Sequence, residues 1–170
     1  MVTIDDEAAR ANRIALVISD NDGVLTDGIV YVSPNGEALK AYSVRDGMGV
    51  ERLRRGGIQS GILTREARAL VAPRAEKLEL RYVWTGVRDK HAHLARILRD
   101  TQLSLAQLAY IGDDVNDLDI IEAIGAAGLT AAPADAMPEV RAAVHFECTT
   151  PGGRGAFREF AEWLLRLRSA

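Results

Sequence analysis

"RIALVISDNDGVLTDG", Arg13 to Gly28, is the stretch on which the reading of this chain turns. Its first half is a near-continuous apolar run rich in β-formers, the pattern of a strand covered on both faces and therefore central in a parallel sheet. Its second half sets Asp20, Asp22 and Asp27, with Gly23 and Gly28, directly behind that strand. Carboxylates crowded at one strand end repel one another and resist joint ionisation, so this much negative charge needs a partner.

Working outward, "GIVYVSPNGEALKAYSV" offers two short alternating runs around "PNG". Asn35-Gly36 suits a tight turn with positive φ, so a β-hairpin over residues 28–44 follows the first strand. A helix is expected from Asp46 to Arg55, stopped by Gly56 and Gly57. "IQSGILT" (Ile58 to Thr64) is a second strand, and Glu66 to Leu80 is helical, with Pro73 marking a break or a fresh first turn. "RYVWT" is a short third strand, Leu94, Ile97 and Leu98 have helical spacing, and "LAYIG" (Leu108 to Gly112) is a fourth strand. Val115, Leu118, Ile121 and Ile124 line one helix face, "AGLTA" and "AVHFE" are two last short strands, and Phe157, Phe160, Leu164 and Leu167 give a closing amphipathic helix. What precedes Arg13 is a short polar leader. Strands alternating with helices predict an α/β fold with a doubly wound, mainly parallel sheet, whose ligands bind beyond the carboxyl ends of the strands.

The length of 170 residues, with 48% hydrophobic and 26% charged, fits one domain over residues 1–170 with a sizeable core. With 21 basic and 24 acidic side chains and a net charge of -3, the chain lacks the concentrated positive field of a nucleic-acid binder. No apolar stretch approaches the roughly 20 residues needed to span a bilayer. The one cysteine, Cys148, cannot form an internal disulfide, and the N-terminus has no signal-peptide pattern, so the cytoplasm is the expected location.

Four features fall in loops after expected strands: Asp20 and Asp22, then Thr64, then Lys90, then Asp113-Asp114. All should meet at one sheet edge. Magnesium prefers oxygen ligands, takes only a few protein carboxylates and leaves room for a phosphoryl oxygen, so a Mg2+ site with a phosphate partner accounts for the charge. Asp20 would attack phosphorus, Thr64 and Lys90 would offset charge on the phosphoryl group, and Asp22 would protonate the leaving oxygen and later take a proton from water. Gly23 allows a tight turn that brings backbone N–H groups close to the phosphoryl oxygens. Taken singly, each feature has an ordinary explanation: a turn for "DNDG", a strand end for Thr64, a solvated helix start for Lys90 and a helix cap for "GDDVND". Their shared order after successive strands is what those explanations do not supply.

With "DNDG", "ILT", "DK" and "IGDDVND" in this order, the chain resembles the haloacid dehalogenase superfamily of phosphotransferases. Its hairpin region, "YIGDDVND" and "GGRGAFREF" are similar to a capless sugar-phosphate branch. That branch holds the phosphatases of 3-deoxy-manno-octulosonate (KDO) 8-phosphate and of keto-deoxy-nononate (KDN) 9-phosphate. The resemblance implies Asp20 as nucleophile and metal ligand, and Asp22 as general acid/base that offers its backbone carbonyl to magnesium. It implies Asp113 as the third protein ligand, with Asp114 and Asp117 behind the ligands. It also implies a homotetramer, with the hairpin and the tail at residues 149–158, around Gly152, Gly153 and Arg154, covering neighbouring active sites. Between Thr64 and Lys90 there is room for a helix and a strand but not for a cap domain, which usually needs about 50 residues or more. An open site of this kind leaves a neighbouring subunit as a plausible lid.

Two departures bear on function. Asn21 stands between the aspartates where the family usually has an apolar residue, and its side chain should face away from the phosphate. After Thr64 the KDO 8-phosphate enzymes usually continue Gly-Arg, whereas here Arg65 and Glu66 follow. Glu66 with Lys77 eleven residues on resembles the KDN 9-phosphate group, and Glu66 would repel an octulosonate carboxylate, so the nine-carbon acid is the favoured substrate. Arg45 is a candidate contact for a substrate anion. His91, His93, His145, Trp84 and Trp163 are read as structural.

Two other classes remain in view. A receiver-like phosphoacceptor uses similar groups, but places its acidic pair after the first strand and its phosphoacceptor after a middle one. A non-catalytic assembly domain, of the kind fused to acylneuraminate cytidylyltransferases, would keep the fold without turnover.

Overall fold

The structure is a computed structural model that describes residues 4–169. Six parallel strands form one sheet in the order β5-β4-β1-β6-β7-β8: β1 (Leu16–Ser19), β4 (Gln59–Leu63), β5 (Tyr82–Trp84), β6 (Leu108–Ile111), β7 (Leu129–Ala132) and β8 (Phe146–Glu147). The apolar run that opened the reading is the central strand. Every residue of β1 is buried, and it pairs with β4 on one side and β6 on the other, in a register that sets Ser19 opposite both Ile62 and Ile111.

Successive side chains of a strand point to opposite faces, so β1 feeds two cores. Val17 joins Ile62, Ala109 and Ile111 under α2 (Val44–Arg55), α3 (Arg68–Lys77) and α7 (Ala156–Leu167), through Leu53, Val71 and Phe160. Leu16 and Ile18 join Leu108 and Tyr110 under α4 (Leu94–Thr101), α5 (Leu118–Gly125) and α6 (Pro138–Ala143), through Ile97, Ile121 and Val140. Helices on both faces make the expected doubly wound α/β sheet. Between Thr64 and Lys90 lie only α3 and β5, so that interval holds no cap domain.

The hairpin stands apart from the sheet, as β2 (Tyr31–Ser33) paired antiparallel with β3 (Gly36–Leu39). Its turn is Pro34-Asn35 rather than Asn35-Gly36. Positive φ falls on Gly36 alone, which opens β3 opposite Ser33. Among the described residues no helix is long and apolar enough to cross a membrane.

Several local readings are refined. The polar leader holds a helix, α1 (Ile4–Ala11), fixed by burial of Ala11 and by Arg10 Nη1, which donates to the carbonyls of Gly125 (2.8 Å) and Gly128 (3.1 Å). Pro73 lies inside α3 without ending it. Val115 starts a short 3₁₀ turn before α5 and is exposed, so the buried face of that helix begins later, at Ile120. Helix α6 went unread because it spans only six residues, too short to display a helical period. His145 pairs with Thr130 (Nδ1 to Oγ1 2.9 Å), and Trp84 is buried with Nε1 donating to Asp100 Oδ2 at 3.1 Å, both structural roles.

Candidate active site

Parallel pairing in register brings the strand ends level, so the loops after β1, β4 and β6 open onto one cavity of about 290 Å³. It is lined by Asp20, Asp22, Gly23, Gly28, Thr64, Arg65, Glu66, Asp113, Asp114 and Asn116. Asp20 is held at the tip of the central strand by its backbone N–H, which donates to the Ile111 carbonyl at 3.0 Å. Lys90, from the loop after β5, is buried beneath it, with Nζ 2.7 Å from Asp20 Oδ2 and 2.5 Å from Asp117 Oδ1.

The acids divide by what their oxygens already bind. Carboxylate atoms of Asp20, Asp113 and Asp117 lie within 4.8 Å of one another. Asp117 is fully occupied: Oδ1 accepts from Lys90 and from the Tyr110 hydroxyl (2.6 Å), and Oδ2 from the backbone N–H groups of Asp113 (3.1 Å) and Asp114 (3.4 Å). It therefore holds the acidic loop and Lys90 in place. Asp114 Oδ1 accepts from Val115 N–H at 2.7 Å and caps the 3₁₀ turn, as its ordinary reading allowed, while also lining the cavity. Asp113 differs, because its Oδ1 is buried with no hydrogen-bond partner. A buried carboxylate oxygen left bare is costly, and a cation beside it removes that cost.

The pKa shifts report the same strain. Burial, with Asp20 and Asp117 nearby, pushes Asp113 up to about 8. Burial raises Asp20 to about 7 despite the opposing pull of Lys90. For Lys90 burial disfavours the charge, but Asp20 and Asp117 outweigh it and its pKa is raised. The set suits a hard divalent cation: oxygen donors only, one of them unpartnered, with a lysine close by for an anionic ligand. Asp20, Asp113 and the backbone of Asp22 are the groups that would hold it. Gly23 makes the close approach possible, since it has φ +81° and a Cβ there would fall 1.9 Å from Asp113 Oδ2.

Other expected site residues are distributed around this centre. The Asp22 carboxylate turns toward Lys40, with Oδ1 2.7 Å from Nζ. Thr64 is buried and lines the cavity, its hydroxyl accepting from Glu66 N–H at 3.1 Å. Glu66 lines it too, paired with Lys40 at 3.1 Å. Lys77 is exposed at the end of α3 and does not line the cavity, so the structure does not join it to Glu66 there. Arg45 and Arg154 border a second hollow of about 600 Å³ between hairpin and tail, with Tyr31 and Tyr42. Asn21 is buried and does not line the cavity, accepting from the Tyr42 hydroxyl at 3.1 Å. The tail packs on its own chain's loop after β1: Gly153 N–H donates to the Val24 carbonyl at 2.8 Å, and a Cβ on Gly152 would fall 1.9 Å from the Gly23 carbonyl oxygen. Lys40 was missed by sequence reasoning.

A protein of Yersinia pestis, the KDO 8-phosphate phosphatase KdsC, is 38% identical over 161 residues, covering 95% of this chain and 84% of its own. The chain belongs to the KDO 8-phosphate phosphatase family. No family model matches it. Among solved structures of KDO 8-phosphate phosphatases, that from Moraxella catarrhalis, in complex with magnesium, phosphate and KDO, superposes with a TM-score of 0.89 at 32% identity, covering 98% of this chain and 94% of its own. The cobalt-bound form from Haemophilus influenzae gives 0.88 at 35% identity, covering 94% and 92%. The KDO 8-phosphate phosphatase family sits within the haloacid dehalogenase superfamily of hydrolases, so the resemblance read from the four loop motifs holds.

Proposed function

We propose that this chain is a magnesium-dependent phosphatase, acting as a single domain that hydrolyses the phosphomonoester of KDO 8-phosphate through an aspartyl-phosphate on Asp20. The observation that carries this reading is the bare, buried Oδ1 of Asp113 beside Asp20, two acids that line one cavity. The Asp20 carboxylate would attack phosphorus, breaking the bond to the sugar oxygen, which takes its proton from Asp22. Water would then attack phosphorus, giving a proton to Asp22 as the Asp20–phosphate bond breaks. Lys90 and Thr64 would hold the phosphoryl oxygens, with backbone N–H groups near Gly23. Magnesium, when bound, neutralises the acids and the phosphoryl charge together.

Among sugar acids, the eight-carbon substrate takes precedence over the nine-carbon one favoured on Glu66 alone. Glu66 is ion-paired with Lys40, which weakens its repulsion of a substrate carboxylate, and Arg65 puts an exposed guanidinium on the same rim. An arginine fork suits a carboxylate. The relatives' named substrate points the same way.

We further propose a homotetramer assembled through the hairpin. Its support is the apolar surface that β2, β3 and their flanks leave in solvent: Val32 is 76% exposed, Leu39 67% and Val44 82%. A cytoplasmic setting belongs to the same proposal, in keeping with a lone, buried Cys148.

Phosphate release measured with and without magnesium, over KDO 8-phosphate, KDN 9-phosphate, hexose phosphates and nucleotides, tests the reading. The highest kcat/KM is expected for KDO 8-phosphate, with no turnover by Asp20→Asn. Unchanged rates in Asp20→Asn would leave the fold as an assembly module, and a stable phosphoprotein without turnover would favour a receiver.

A further inference from the structure

Lys40 follows directly on β3, outside every motif that marks the site. All of β3 is exposed, yet the Lys40 side chain is only 4% exposed. Its ammonium reaches across the cavity rim to carboxylates from three segments: Asp22 Oδ1 at 2.7 Å, Glu66 Oε2 at 3.1 Å and Glu37 Oε2 at 3.7 Å. An ammonium is buried in this way only where such partners compensate the lost water. Burial disfavours the charged form, but the bonds to Asp22 and Glu66 outweigh it and keep Lys40 charged.

The contacts on Asp22 are one-sided. Lys40 Nζ, Thr26 Oγ1 (3.2 Å) and Asn21 Nδ2 (3.3 Å) all donate to Oδ1. Three donors on Oδ1 leave Oδ2 as the oxygen available to exchange a proton with a ligand.

We propose that Lys40 is a positioning residue that clamps Asp22 by Oδ1, so that Oδ2 is the oxygen that gives a proton to the leaving group and takes one back from water. The inference rests on the reading of Asp22 as acid and base. Glu66 anchors the lysine from the far side, which gives this glutamate a task other than sugar selection. Because the hairpin carries Lys40, any contact that steadies the hairpin also steadies the acid.

The test compares two esters with wild type, Lys40→Met, Asp22→Asn and the double variant. A sugar alcohol is a poor leaving group that needs the proton, whereas p-nitrophenolate does not. On KDO 8-phosphate, Lys40→Met is expected to lose about 10²-fold in kcat/KM, at the low end for misdirected acid catalysis, with a much smaller change in KM than in kcat. On p-nitrophenyl phosphate the kcat/KM of the same variant should stay within about threefold of wild type, since that ratio ends at departure of the leaving group, which needs no proton there, and excludes the attack of water that both esters share. Asp22→Asn should show the same substrate dependence, and adding Lys40→Met to it should cost nothing more, because the two act as one unit. Lys40→Arg should recover part of the lost kcat/KM. If Lys40→Met does not fold, Lys40→Gln, which keeps a donor without the charge, carries the same comparison.

Equal losses on both esters, or additive losses in the double variant, would overturn the inference while leaving the phosphatase reading in place. An Asp22→Asn variant without substrate dependence would overturn the inference and the acid/base role of Asp22, and a wild type inactive on both esters would overturn the phosphatase reading as well.

Discussion

The strand-end cluster and the hairpin break the burial rule in opposite directions. At the cluster, Asp20, Lys90 and Asp117 are buried although ionisable, and Asp113 keeps a bare oxygen. On the hairpin and its flanks, Val32, Leu39 and Val44 are apolar and sit in solvent. A monomer without ligands satisfies neither region. The first asks for a cation and an anion, the second for another protein surface, and Lys40 runs between them. The difference teaches that a missing partner is legible in a single chain when chemistry and burial disagree, and that the sign of the disagreement tells which kind of partner is missing.

The largest effect should come from removing the nucleophile. Asp20→Asn is expected to lower kcat on KDO 8-phosphate by about 10⁴-fold or more, measured by phosphate release, since it removes the attacking carboxylate. A smaller but still severe loss is expected of Gly23→Ala. Its Cβ would fall 1.9 Å from Asp113 Oδ2, at a φ of +81° that L side chains rarely adopt, so the acidic loop must move. A loss of about 10²-fold in kcat with weakened magnesium binding, read by calorimetry, is the expected outcome.

The pH dependence sharpens the cluster's side of the comparison. Asp113 and Asp20 must give up protons to take a cation, and their pKa values are raised to about 8 and about 7. Magnesium affinity should therefore fall as pH drops through that range, by up to about tenfold per pH unit for each proton displaced. The metal-free fold should respond in the opposite sense. Between the ordinary value of 3.8 and the raised ones the folded state holds more protons than the unfolded, so its stability declines as pH rises across that window. Melting temperatures at pH 5 and pH 8, with and without magnesium, check both signs.

The smallest effect on the fold is expected at the hairpin. Val32→Glu with Leu39→Glu removes no buried contact, so unfolding free energy should change by only about 0.5 kcal/mol per site. Yet sedimentation should show the assembly lost, because the substitutions put charge on the face that partners would cover. A retained tetramer would break the comparison from this side.

The cluster was legible in the sequence because each of its loops follows an apolar run, and parallel pairing in register levels the ends of those runs. Asp20, Thr64, Lys90 and Asp113 could therefore be brought together from strand order alone. Lys40 could not: its partners Asp22 and Glu66 lie far from it in the chain, and its burial depends on how the hairpin folds back over the strand ends. Lys77 was the converse case, a spacing that suggested a partner for Glu66 while helix α3 carries it to the exposed far end. The tail was read as a cover for a neighbouring site, but the close backbone packing of Gly152 on Gly23 depends on space around a glycine, which a sequence does not display.

The claim beneath all of this is that Asp20 and Asp113 are held together for a divalent cation. The most direct test is calorimetric titration of magnesium into the full-length protein at pH 7, repeated in buffers of different ionisation enthalpy. One ion per chain is expected to bind with net release of protons, and Asp113→Asn should abolish both signals. Binding without proton release, or binding unchanged in Asp113→Asn, would contradict the account.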